Sequence, residues 1–257
     1  MKHRAKAIFL VLAALAFAAA PALSPGFDGF DPDRFPVPQL DPPVQPAGWA
    51  FAIWGPIYLL LVSHAAYGLW RHRDDPAWDD LRWPLILSLG VGSLWLAVAN
   101  VSPIIATVLI WVMLVSALAA LVLSPGRHLV TDAGASPAPA ANRWLGRVPI
   151  GLYTGWLTAA SWVSIGLLLG GWGVLGPVTA ALVALPLAIA FAAIFQLWLG
   201  RAPEYGLTVI WALAGLVAAN WSRAPAIAAL AAVGILVMGV ILLRLGNLRT
   251  ERWGPER

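Results

Sequence analysis

Eight apolar stretches of roughly twenty residues divide this chain, with no Asp, Glu, Lys or Arg inside them beyond Lys6 at the start of the first. They lie at about Ala5 to Leu23, Trp49 to Trp70, Trp83 to Asn100, Ser102 to Leu123, Pro149 to Leu169, Val174 to Trp198, Tyr205 to Asn220 and Ala224 to Leu243. A segment in lipid must satisfy its own backbone hydrogen bonds, so only helices and closed barrels cross a bilayer. Barrel strands alternate apolar and polar residues over about ten positions, and no such alternation occurs here. The chain therefore reads as all-α, a polytopic membrane helix bundle of about eight transmembrane helices. With only 11% of its residues charged, it lacks the charged shell of a soluble domain.

The charges that remain set direction. With the N-terminus inside, 14 of the 16 Lys and Arg fall in segments on the cytoplasmic side, leaving only Arg34 and Arg223 outside. This bias predicts a multi-pass protein of the cell inner (plasma) membrane with both termini cytoplasmic. The net charge of +4 then reflects topology and contact with the lipid bilayer, and no nucleic acid partner is expected. Residues 1–23 read as a retained helix, although Ala18 to Ala20 also resembles a signal-peptide cleavage site. The Pro-rich stretch 24–48 reads as an irregular external loop and 124–148 as a low-complexity cytoplasmic linker. A basic cytoplasmic tail follows the last span.

Little catalytic chemistry is visible. The chain has no Cys, and no nucleotide-binding, serine-hydrolase or zincin motif. The spans hold no carboxylate or cationic relay of the sort ion-coupled proteins use, and Arg82, Arg147 and Arg201 fall in cytoplasmic segments. No enzyme and no metal site is expected. His64, within the second span, is either a buried neutral histidine or an axial contact to a bound metalloporphyrin. Asn100, Gln196 and Asn220 read as hydrogen-bonding glue near span ends. Pro186 falls mid-span and predicts a bend.

Of the 15 Trp, 13 divide by depth along the spans. Trp49, Trp70, Trp83, Trp144, Trp172, Trp198 and Trp221 lie at span ends, where the amphipathic indole suits the membrane interface. Trp54, Trp95, Trp111, Trp156, Trp162 and Trp211 lie deeper, where each N–H needs an acceptor and each ring a packing partner. Five of these six fall in the second to fifth spans. That concentration predicts an aromatic-lined cavity for a flat apolar ligand.

The segment Pro46-Ala-Gly-Trp-Ala-Phe-Ala-Ile-Trp-Gly-Pro-Ile-Tyr58 resembles the signature of the TspO/MBR family of tryptophan-rich sensory proteins. Trp95, Trp111-Val-Met and Trp156-Leu-Thr-Ala-Ala-Ser-Trp162 resemble later helices of that family in order and spacing, so the resemblance covers about residues 5 to 170. It implies a five-helix bundle over 1–170, often dimeric, with a ligand pocket under the loop after the first helix. Three additional transmembrane helices over 171–257 would then mark an extended, divergent member. By the same resemblance Trp54, Trp156 and Ala160 match pocket positions. Ser93 stands where an Asn is usual in the third helix, and Ser164 where another is common in the fifth.

Taken together, these features predict an integral membrane sensory or binding protein for a porphyrin-like or other flat hydrophobic ligand. A tetrapyrrole, porphyrin or haem, is the possible cofactor-like ligand and a homodimer the possible assembly. The expected ligand-binding residues are Trp54, Trp156, Ala160, Trp95, Ser93, Trp49 and His64. Two other readings stand beside this one: a carrier of a small hydrophobic solute without proton coupling, and a structural membrane partner with no ligand.

Overall fold

The computed structural model describes residues 2–23, 30–124 and 143–252, which form helices and connecting turns with no strand among them. Eight long helices follow one another: α1 (Lys2–Leu23), α2 (Trp54–Arg71), α3 (Pro76–Ala99), α4 (Pro103–Leu123), α5 (Val148–Gly171), α6 (Pro177–Leu199), α7 (Pro203–Asn220) and α8 (Pro225–Arg252). Most of the linker expected at 124–148 and the first part of the loop at 24–48 lie outside the described residues. Within the first of these, Arg143–Arg147 forms a π-helical turn into α5. Five helices open on proline, whose fixed φ suits the first helical position and whose missing N–H costs nothing there. Asp75 and Ser102 cap two of these starts, accepting from Ala77 N at 3.0 Å and Ile105 N at 3.3 Å. Gly200, with φ +63°, ends α6 in the left-handed conformation that glycine adopts without strain.

Seven of these helices are long and apolar enough to cross a membrane. The remaining one, α7, is 18 residues long and carries Glu204 and Asn220 near its ends. At about 1.5 Å per residue it still approaches the thickness of the hydrocarbon core. Helices α1 to α5 close into a ring in which α1 lies beside α2 and α3, α4 joins α3 to α5, and α5 returns to α2. On the opposite side of α5 stand α6 and α7, with α8 packed against both. Helix α5 is thus shared, and the most buried of the spans.

The seven tryptophans assigned to span ends are all partly or largely exposed, from Trp172 at 39% to Trp221 at 76%. The charged end residues behave differently. Helix α3 begins at Pro76, seven residues before the expected Trp83, and buries Asp79 and Arg82. Arg82 is 1% exposed and donates to Asp79 Oδ1 (2.9 Å) and to the carbonyls of His72 (2.7 Å), Arg73 (2.9 Å) and His3 (3.2 Å). Lys6 and His3 complete the cluster on Asp79 Oδ2 at 2.5 and 2.9 Å, fastening α1 to α3. These residues are therefore internal ties as well as surface charge, because opposite charges paired at short range can be buried where single ones cannot.

Arg147 and Glu204 form a second buried pair at 2.7 Å between the starts of α5 and α7. The helices approach closely there because α5 presents Gly151 and Gly155. A Cβ on Gly151 would strike the Glu204 side chain, and one on Gly155 the Tyr205 carbonyl. Arg201, in the turn between α6 and α7, donates to the end carbonyls of α4 at Leu121, Val122 and Ser124 (3.3, 2.6 and 3.2 Å). Arg82, Arg147 and Arg201, counted from the sequence as segment charges, thus also have protein partners. Each guanidinium meets carboxylates or helix-end carbonyls inside the bundle.

Candidate ligand-binding site

Residues 30–53 form a cap over the end of the bundle where α2, α4, α6 and α8 begin. Prolines 32, 36, 38, 42, 43 and 46 keep this segment from continuing as a helix, and short 3-10 turns at Pro32–Arg34 and Gly48–Ile53 are its only regular pieces. Phe35, Val44 and Ala50 are buried, so the cap sits within the helix ends. Four hydrogen bonds hold it: Val37 N to Gly171 O (2.9 Å), Ala47 N to Gly215 O (3.0 Å), Trp211 Nε1 to Ala50 O (2.9 Å) and Asn220 Nδ2 to Pro43 O (2.9 Å). Gly171 and Gly215 make the fit possible, since a Cβ at either would collide with Phe35 or with Pro46 and Ala50.

Beneath the cap lies a cavity of about 90 Å³. Phe30, Val44, Pro46 and Phe51 roof it, α5 supplies Trp156 to Leu167, and Trp95 and Ile110 reach it from α3 and α4. Its far wall mixes small residues, Ala181, Ala184 and Ala188 of α6 and Ala212 of α7, with Leu185, Ile189, Val209, Leu213 and Leu216 of the same helices. Gln45, Thr158 and Ser164 are the polar side chains at its edge. Thr158 already donates to Thr154 O (3.0 Å) and pairs with Tyr205 OH (3.2 Å), and Ser164 donates to Ala160 O (3.0 Å). No charged side chain lines the cavity among the described residues.

The residues singled out from the sequence fall into three places. Trp95, Trp156 and Ala160 line the cavity. Trp54 sits inside the ring, stacked on Tyr58 (5.3 Å between centroids, 13° between planes) and edge-on to Trp156 (6.1 Å) and Phe17 (5.8 Å). Trp49, Ser93 and His64 lie away from the cavity. Trp49 packs edge-on against Trp211 at 5.0 Å, and Ser93 donates to Gly90 O in its own helix at 2.7 Å. His64 is fully buried near the opposite end of α2, where Nδ1 meets Leu145 O at 2.7 Å and the ring stacks on Trp78 at 5.0 Å. Its Nε2 is buried without a hydrogen-bond partner, and the residue is not among those lining the cavity.

Sequence reasoning missed three things. Trp78, 1% exposed, lies in a segment whose charges resemble a loop, yet both His64 and His72 stack on it (5.0 and 4.6 Å). The alanines of α6 and α7 carry no chemical signal, and only their recurrence at Ala181, Ala184 and Ala188 marks one helical face. Phe17 reads as one more apolar residue of α1, but it fills the ring centre against Trp54, Tyr58 and Tyr153 at 5.8, 5.1 and 5.6 Å. Among the described residues there is no cluster of three or more His, Asp or Glu able to hold a metal.

No curated protein and no solved structure matches this chain. A family model described as TSPO-like protein matches residues 36–244, which takes in part of the cap, α2 to α7 and most of α8, and so runs well past residue 170. A membrane helix bundle of this form, matched over most of its length, belongs to the TSPO-like protein family.

Proposed function

We propose that this chain is an integral membrane binding protein whose ligand is a small, flat, uncharged apolar molecule held under the cap between α5, α6 and α7. The observation that carries the reading is the cavity itself, closed above by a hydrogen-bonded cap and walled almost entirely by apolar side chains. Packed helices leave few voids, and those that persist in an apolar wall stay dry and accept apolar guests. Of the polar groups on its wall, Thr158 and Ser164 already have partners, while Trp162 Nε1 is buried without one. No nucleophile is set beside a base, which supports binding over catalysis.

Size and charge narrow the ligand. An apolar cavity of about 150 Å³ accepts benzene, and drug-sized ligands occupy about 300–1,000 Å³. The 90 Å³ here suits a guest of one ring's breadth after slight relaxation. What supports an uncharged single-ring guest over a tetrapyrrole is the small volume, a wall that offers no cation to a carboxylate, and the absence of His64 from the lining. Below the cavity, the Thr158–Tyr205 contact and the Arg147–Glu204 pair close the path between α5 and α7, which favours a binder over a carrier. The distribution of Lys and Arg supports a plasma-membrane location with both termini cytoplasmic.

Iodobenzene, a heavy-atom quencher of indole fluorescence, tests this in nanodiscs. Quenching of interfacial tryptophans by probe dissolved in lipid rises without limit. A bound probe beside Trp156 adds a saturable component, expected to shrink in Trp156→Phe and to be untouched by protoporphyrin. Linear quenching alone in the wild type would end the proposal.

A further inference from the structure

The wall between this cavity and the lipid-facing surface is one pair of indoles thick. Neighbouring residues of α4 and α5 point opposite ways. Ile110, Ser164 and Leu167 line the cavity, while Trp111, Ile165 and Leu168 line an open groove on the outer surface of α3, α4 and α5. Trp111, on the groove, meets Trp162, on the cavity, edge to face at 5.5 Å and 77°. Phe191 of α6 closes the third side, 6.3 Å from each ring.

Both indoles differ from Trp95 and Trp211 in how they are held. Trp95 Nε1 donates to Ala106 O at 2.8 Å and Trp211 Nε1 to Ala50 O at 2.9 Å. The Nε1 atoms of Trp111 and Trp162 are buried and have no partner, and neither has Thr107 Oγ1 beside Trp111 on the groove. A ring fixed by no hydrogen bond rotates at the expense of dispersion contacts alone, and a second apolar group replaces those as it passes. The cap offers the opposite case. Lifting it breaks four hydrogen bonds at once and strips Phe35, Val44 and Ala50 from their seats.

We propose that Trp111, Trp162 and Phe191 form a lateral gate, and that the ligand is a membrane-partitioned molecule entering from the bilayer through the groove. The proposal rests on the reading of the cavity as a binding site. It narrows that reading to uncharged solutes that dissolve in lipid, because anything crossing the gate travels through hydrocarbon from start to finish.

Iodobenzene loaded into vesicles and mixed with nanodiscs carrying the full chain gives the association rate from the growth of saturable quenching. Phe191→Ala removes one side of the gate without removing an indole. It is expected to raise the association rate about tenfold while the equilibrium constant moves less than about threefold, as for a barrier lowered equally in both directions. Trp111→Phe is a second variant with the same expected direction. Locking the cap supplies the opposing arm. Phe35 Cβ lies 3.0 Å from where a Cβ on Gly171 would stand, and neither residue lines the cavity, so Phe35→Cys with Gly171→Cys offers a cross-link, compared reduced and oxidised, in a chain that has no cysteine of its own.

Oxidation of this pair is expected to leave the association rate unchanged. A rate that collapses on cross-linking, or that ignores both gate substitutions, overturns the gate while leaving the cavity as the binding site. Absence of saturable quenching in the wild type overturns both. Should the gate variants fail to fold, the cross-linked protein decides alone.

Discussion

The two sides of α5 carry similar residues and differ in what faces them. On the ring side, Trp156 meets Trp54, and Phe17 fills the centre against Trp54, Tyr58 and Tyr153. Gly92 leaves room for the Phe17 ring, which a Cβ at that position would strike at 2.6 Å. On the far side, Ala159 and Ala160 face Ala181, Ala184 and Ala188 of α6 and Ala212 of α7, and the space between them stays open. Alanine faces close a gap only when helix backbones come nearly into contact. Val44, seated against Gly166, and Pro46, seated against Gly215, are wedged between the helix ends and prevent that approach. An abundance of aromatic residues therefore says little about where a ligand goes. The ring centre is filled by its aromatics, whereas the cavity, with five aromatics of its own, stays open where alanines oppose one another under a fixed wedge.

The comparison depends on α5 and α7 being held at a set distance, so the strongest way to break it is to remove their tie. Glu204→Ala leaves the Arg147 guanidinium buried without its carboxylate and is expected to cost about 3–5 kcal/mol, read as a fall in thermal unfolding midpoint in detergent. The double replacement Arg147→Met with Glu204→Leu should recover most of this loss, because desolvation then no longer has to be offset. A single variant as stable as wild type would mean the pair is hydrated and does not fasten the helices.

Next in size is Phe17→Ala. It empties the ring centre and is expected to cost about 3 kcal/mol, in the range for deleting a buried aromatic ring. It should also convert the filled side into a second cavity, giving iodobenzene two saturable sites instead of one. A small loss with one site would show that α1 collapses inward, and that the filled ring is plastic rather than packed to shape.

These two sites also mark how far the sequence was legible. Apolar runs gave the helices, and the density of Pro between Pro32 and Pro46 the cap, because each follows from local backbone rules, whereas the starts at Pro76, Pro177, Pro203 and Pro225 lay one to seven residues from the expected ones. Depth along a span separated interface tryptophans from inner ones, and the end set is indeed exposed. Depth does not report azimuth, however. Trp211 lies as deep as Trp162 by count yet is 38% exposed, since the face of a helix that meets a neighbour depends on how all the helices pack. Arg82 and Arg147 show the same limit in electrostatics. Their positions at span ends agree with interfacial solvation, and only their partners, Asp79 and Glu204, make them internal. The cavity was least legible because its walls are ordinary aliphatic, alanine and aromatic core residues drawn from the cap and helices α3 to α8, with no chemical signature that sets them apart from packing.

Ala160→Leu carries the smallest expected effect on stability and the sharpest on function. The residue borders the cavity, so the added carbon atoms enter space that is already empty and need displace nothing. In a packed interior such an insertion costs about 1–3 kcal/mol through strain. Here the unfolding midpoint should stay within the equivalent of about 1 kcal/mol of wild type, because new dispersion contacts offset what strain there is. The same atoms take up the volume a ligand needs, and the saturable iodobenzene component should vanish. On the filled side of α5 the outcome reverses. Gly92→Ala, which pushes a methyl group into the Phe17 ring, should destabilise without altering binding. Loss of stability in Ala160→Leu together with retained binding would place the ligand elsewhere and remove the contrast between the two faces of α5.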